Sequence, residues 1–148
     1  MEKGKKIDLG VMIIFPIVSS ILSFIFNANF LSGIIFFLIF PSIYLTYRYK
    51  KKIKKILIFS GIISIPLTFI SDYLAVVGNV WYIEQSIYKI LGIVAIEQFL
   101  FSFLFTYLLI IFYEHFIDNG KDLSINKKIK FIFYILLIIL FVLLIFIF

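Results

Sequence analysis

Five apolar runs, parted by short polar or basic segments, limit what this chain can fold into. They cover residues 9–26, 30–47, 56–74, 86–113 and 131–148, each at least 18 residues long. A helix needs about 20 apolar residues to cross a hydrocarbon core about 30 Å thick. Only helices and closed barrels satisfy all their backbone groups in lipid. With 148 residues that are 64% hydrophobic and a mean hydropathy of +1.17, no soluble core could hide this surface. The expectation is an all-α integral membrane helical bundle: one domain over residues 1–148, with about five transmembrane helices. The lysine-rich start before the first run has the form of a signal peptide. No A-x-A site follows it, so residues 9–26 are read as an uncleaved span. The third run crosses by Leu74, or continues past Gly78-Asn79 to Tyr82 with a bend near Pro66 or Gly78.

The charges orient these spans. Thirteen of the 14 basic residues fall before residue 9, in 48–55 or in 114–130, which alternate as one side of a five-span chain. The positive-inside rule makes that side cytoplasmic, giving N-in and C-out, multi-pass in the cell membrane. The remaining one, Lys89, can snorkel at the outer start of the fourth span. Trp81 and Tyr82 fall where an outer aromatic belt belongs. A net charge of +6 could suggest nucleic acid, but its confinement to loops between apolar runs argues against that partner and for membrane lipid. The chain has no cysteine, which excludes disulfides and thiolate metal sites.

Two acids stand inside the apolar runs, Asp72 and Glu97. If the polar break around Glu84-Gln85 is the turn of a helical hairpin, both lie equally far from it. Both then reach roughly 15–19 Å below the turn, near mid-membrane. A carboxylate there costs on the order of 3 kcal/mol, so an intramembrane acid is a functional-site hypothesis. A protonated acid close to an ionised one is the arrangement for general acid and general base roles. Gln98 adds a neutral donor and acceptor beside Glu97. The plain alternative is an interhelical polar clasp, worth less than about 2 kcal/mol.

Other features carry less. Phe101 and Phe105 follow Glu97 at i+4 and i+8, where aromatic faces could stabilise a cation or simply meet lipid. Glu114, His115 and Asp118 are too few for a metal site and read better as a solvated helix end. The run at 48–55 reads as topology and anionic-lipid contact. There is no P-loop, dinucleotide fingerprint, nucleophile–base triad or zinc motif.

The segments SDYLAVVGNVWYI and LGIVAIEQFLF resemble the lycopene cyclase domain of the small, heterodimeric-type membrane cyclases. That family carries an Asp in an apolar helix, a Trp nine residues on, then a Gly and a Pro-x-Glu-Glu motif leading into aromatics. Asp72, Trp81, Gly92 and Ala95-Ile96-Glu97-Gln98 with Phe99 and Phe101 match that order. The likeness covers residues 30–116, a three-helix unit, with 9–26 and 131–148 as flanking spans. Ala95 replaces the family's Pro and Gln98 its second Glu.

The resemblance implies a redox-neutral, proton-initiated cyclisation of a carotenoid end group, an isomerase reaction without metal or cofactor. Glu97 is the expected proton donor and Asp72 its catalytic partner. Gln98, Trp81, Tyr73, Phe101 and Phe105 are the expected substrate-binding residues. Because the family uses two such units, a homodimer or a related partner chain is implied. The alternatives are a non-catalytic isoprenoid-binding or assembly protein, which Gln98 favours, and a small proton-coupled transporter, which the lack of an internal repeat weakens.

Overall fold

The computed structural model describes residues 3–80, 86–90, 92 and 94–118, together with 131, 134, 135, 138, 139, 142 and 145. Among these residues four helices are long and apolar enough to cross a membrane: α1 (Lys3–Ile25), α2 (Phe30–Tyr49), α3 (Ile53–Val77) and α4 (Ile96–Asp118). Between α3 and α4 lie two short antiparallel strands, β1 (Lys89–Ile90) and β2 (Val94–Ala95), pairing Lys89 with Ala95 and Ile90 with Val94. The expected fifth span falls mostly outside the described residues. Its described positions, from Phe131 to Ile145, are helical and exposed.

Sequence explains where these helices stop. At the end of α1, the N–H of Ala28 reaches the Ser23 carbonyl and that of Asn27 reaches Phe24. At the end of α3, Val80 reaches Ala75 and Asn79 reaches Val76. Both are the paired 6→1 and 5→2 bonds that satisfy the last carbonyls of a helix. They need a left-handed residue, and Asn27 (φ 46°) and Asn79 (φ 49°) supply it. Asparagine is the non-glycine residue that tolerates this region best. So α3 ends at Val77 rather than running on to Tyr82. Asn29 then caps α2, its Oδ1 accepting from the Ser32 N–H and hydroxyl, both at 2.9 Å.

Pro41 shapes the middle of α2. It has no N–H, and its ring opposes a regular turn before it. The helix widens to a π turn over Ile35–Ile39, with the Phe40 N–H bonded to the Ile35 carbonyl. The Phe36 carbonyl thereby loses its α partner, Phe40, and its π partner would be the N–H that Pro41 lacks. The buried Ser19 of α1 fills the gap, its hydroxyl donating to that carbonyl at 2.7 Å.

The chain divides into two compact units, Met1–Ser60 with Leu104–Gly120, and Gly61–Phe103 with Lys121–Phe148. The core of the first is Leu45, Tyr49, Ile56, Tyr107 and Ile111, with Met12, Tyr44, Phe112 and Phe116 packed against it. Outward, α1 presents Ile13, Ile14, Ile17, Ile21 and Phe24. In water such a face would be a liability; in lipid it is the normal surface. In the second unit, the C-terminal part of α3 and the N-terminal part of α4 meet where Gly61 faces Phe103, a Cβ at Gly61 standing 3.9 Å from the ring.

One expectation is corrected. The fourth span does not begin near Ser86 but at Ile96, and the described residues between Ser86 and Ala95 hold a turn and the strand pair instead of helix. Gly92 takes a positive φ of 72° between the strands, a conformation that breaks a helix.

Candidate functional site

The acids of the second unit come first. Asp72 sits on α3 in a series of buried polar residues spaced every fourth position: Ser60, Ser64, Thr68, Asp72. Four residues is slightly more than one helical turn, so this is a polar seam along one face. Two hydroxyls of the seam, those of Ser64 and Thr68, are turned onto their own helix, while Ser60 Oγ is buried without a hydrogen-bond partner among the described residues. Thr68 donates to the Ser64 carbonyl at 2.7 Å and Ser64 to the Gly61 carbonyl at 3.2 Å. Neither proton is left for Asp72, whose residue is 7% exposed and whose Oδ1 is buried without a hydrogen-bond partner among the described residues.

Glu97 is placed differently from the sequence-based expectation. It lies in the first turn of α4, not halfway along a span. Its carboxylate closes the preceding turn: Oε2 accepts from the Ser86 hydroxyl at 2.6 Å and Oε1 from the Ile87 N–H at 2.7 Å. Counted from the Gly61–Phe103 level toward the turn, Glu97 is six residues along α4 and Asp72 eleven along α3, a depth difference of about 8 Å. No hydrogen bond joins the two acids among the described residues. Gln98 and Ser102 are buried on α4, one turn apart. Tyr73 and Phe101 are half-buried, while Phe105 is 44% exposed. Trp81 lies outside the described residues.

The first unit holds a second constellation that the sequence did not disclose. Asp8, on α1 and 1% exposed, is surrounded by donors. Its Oδ1 accepts from the Tyr44 hydroxyl and from Arg48 Nε, both at 2.8 Å, and its Oδ2 meets His115 Nε2 at 2.9 Å. Tyr44 and Arg48 are one turn apart on α2, and His115 is near the end of α4. Lys5 donates to the His115 carbonyl. Beside them the Tyr49 hydroxyl donates to Glu114 Oε2 at 2.7 Å, and the Tyr49 and His115 rings meet edge to face. The Thr46 hydroxyl hydrogen goes to the Ser42 carbonyl at 2.6 Å, so Tyr107 is the donor in the 2.6 Å contact between Thr46 and Tyr107.

The reading of residues 114–118 as a solvated helix end is therefore corrected for His115, which is buried and held by a carboxylate. The sequence did contain a signal: an acid immediately before the first apolar run, and a Tyr-x-x-x-Arg pair at helical spacing. Among the described residues no group of three or more His, Cys, Asp or Glu is placed to hold a metal ion.

Comparison with protein-family models, curated proteins and solved structures finds no match to this chain. The fold and the two constellations therefore rest on the molecule's own geometry.

Proposed function

We propose that this chain is a multi-pass cell-membrane protein acting on an isoprenoid, as a carotenoid end-group cyclase of the lycopene type or one subunit of it. The observation that carries the reading is Asp72, a buried acid whose Oδ1 has no hydrogen-bond partner among the described residues. A carboxyl oxygen that accepts no hydrogen bond can carry a proton and present it to a hydrocarbon double bond. Protonation of the terminal double bond by Asp72 gives a carbocation, ring closure moves the positive charge to a new carbon, and return of a proton from the adjacent carbon to the Asp72 carboxylate restores neutrality. Atoms and electrons balance without an oxidant. Asp72 takes the donor role expected of Glu97, because both oxygens of Glu97 already accept hydrogen bonds. Glu97 and Gln98 then hold the opposite wall, with Phe101 beside them. The basic ends face the cytoplasm, and a second copy or a related chain completes the substrate path.

A second reading has its own support. Gln98 stands where the resembling enzymes have a second Glu, and Glu97 serves the turn. Both fit a non-catalytic isoprenoid-binding subunit of the same fold.

Expression in a lycopene-producing host, followed by pigment analysis, separates the two. The cyclase reading expects cyclic pigment from the wild type, and a loss of about a hundredfold in Asp72→Asn at equal protein level, the scale of a general acid. Pigment unchanged by the wild-type chain overturns it in favour of the binding subunit.

A further inference from the structure

The basic end of the first unit contains an arginine whose geometry exceeds what topology needs. Arg48 donates from Nε to Asp8 Oδ1, and Asp8 is in turn fixed by Tyr44 and His115. One edge of the guanidinium is thus locked. The side chain is nevertheless 41% exposed, and among the described residues its Nη groups have no hydrogen-bond partner. The first turn of α1 passes beside this edge with a glycine. A Cβ at Gly4 would stand 3.6 Å from Arg48 Nη2, so residue 4 brings its backbone to this edge but lays no side chain over it.

The surroundings are cationic. The described part of the unit carries nine basic side chains against three acidic ones. Of the acids, Asp8 is buried and Glu114 accepts from Tyr49. Two nearby lysines are committed elsewhere, Lys5 to the His115 carbonyl and Lys50 over the Tyr47 ring. Arg48 is left as an oriented fork in a positive field. A planar fork matches phosphate oxygens, whereas orientation in the membrane requires only charge.

We infer that this end of the chain is a receptor for a phosphate group, with Arg48 as the side chain that takes it. The phosphate can be that of an anionic lipid headgroup or of a free or isoprenoid-borne diphosphate. The inference does not depend on any role of Asp72.

The test uses the full chain in neutral maltoside micelles, titrated calorimetrically with dihexanoyl phosphatidylglycerol and, separately, with inorganic diphosphate. Saturable binding of at least one probe is expected. Response to the lipid alone assigns a headgroup; response to diphosphate assigns the phosphate itself. Arg48→Lys, which keeps charge but loses the fork, is expected to weaken binding about tenfold or more, and Lys54→Gln by less than about twofold. Gly4→Leu, which covers the Nη edge and leaves the Asp8 pair in place, is expected to lower affinity as Arg48→Lys does, and it serves if that variant fails to fold. No binding of either probe, or equal losses in Arg48→Lys and Lys54→Gln, overturns the inference.

Discussion

Asp8 Oδ2 and His115 Nε2 meet at 2.9 Å across 107 residues of sequence, joining the first helix to the last turn of the fourth. The same carboxylate bonds two side chains of α2, so one residue ties three helices together. Removing one partner of a buried charged network strands the others, at a cost of about 3 kcal/mol. Asp8→Asn is expected to destabilise by about that amount, and Tyr44→Phe by about 1 kcal/mol, in reversible unfolding in mixed SDS–maltoside micelles. A double-mutant cycle of Asp8→Asn with His115→Phe should return a coupling above about 1 kcal/mol. Additive losses would show that the contact carries no stability of its own.

The Ser19–Phe36 bond makes a prediction with an internal control. Ser19→Ala leaves the Phe36 carbonyl without a partner and should cost about 1 kcal/mol. In a Pro41→Ala background the same change should cost much less. Alanine at 41 restores the N–H whose absence orphaned the carbonyl, and α2 can return to a regular helix. Equal costs of Ser19→Ala in both backgrounds would break the link between the proline and the serine.

Much of this fold was legible because one requirement dominates in hydrocarbon: each apolar run must close its own hydrogen bonds. That requirement makes helices of the runs at residues 9–26, 30–47 and 56–74. What it does not disclose is where a run abandons the helix. Residues 86–95 are as apolar as a span, yet Gly92 takes a positive φ between the paired strands β1 and β2, and the Glu97 carboxylate gathers Ser86 and Ile87 into a closed turn. Equal spacing of Asp72 and Glu97 from the polar break was a true feature of the sequence. It mapped to equal depth only if both arms were helical throughout. The Asp8 network was hidden for another reason: its members come from three separate helices, and nothing in their spacing announces that Asp8 and His115 share an end. The seam at Ser60, Ser64, Thr68 and Asp72 was open to view at its four-residue period.

The left-handed residue at the end of α3 offers a test of the cap itself. Asn79 sits at φ 49° and completes the paired bonds to Ala75 and Val76. Asn79→Ala is expected to cost about 1 kcal/mol, since a Cβ without a local hydrogen-bonding group is strained there. Asn79→Gly should be neutral or mildly stabilising in the same unfolding assay. Gly78 should tolerate even less, because a Cβ there would lie 2.9 Å from the Leu74 carbonyl oxygen. A harmless Gly78→Ala would mean that this turn relaxes more readily than its geometry indicates.

Glu97 separates a proton donor from a clasp. As a clasp, it works by accepting: Oε2 from Ser86 and Oε1 from Ile87. Glu97→Gln keeps one carbonyl oxygen for the Ile87 N–H, and the Ser86 hydroxyl can turn to accept from the new amide. Glu97→Ala keeps neither contact and opens the turn. Hydrogen exchange at the Ile87 amide should therefore quicken about tenfold in Glu97→Ala, as the loss of roughly 1.4 kcal/mol of local stability requires, and only a few-fold in Glu97→Gln. Function should follow the same order if Asp72 is the acid: Glu97→Gln retains most product and Glu97→Ala loses most of it. A donor at Glu97 makes the opposite demand. Glutamine has no proton to give, so both variants would be equally inactive while only the alanine loosened the turn. Equal loss of product with unequal exchange would return the donor role to Glu97 and leave Asp72 as the group that holds charge.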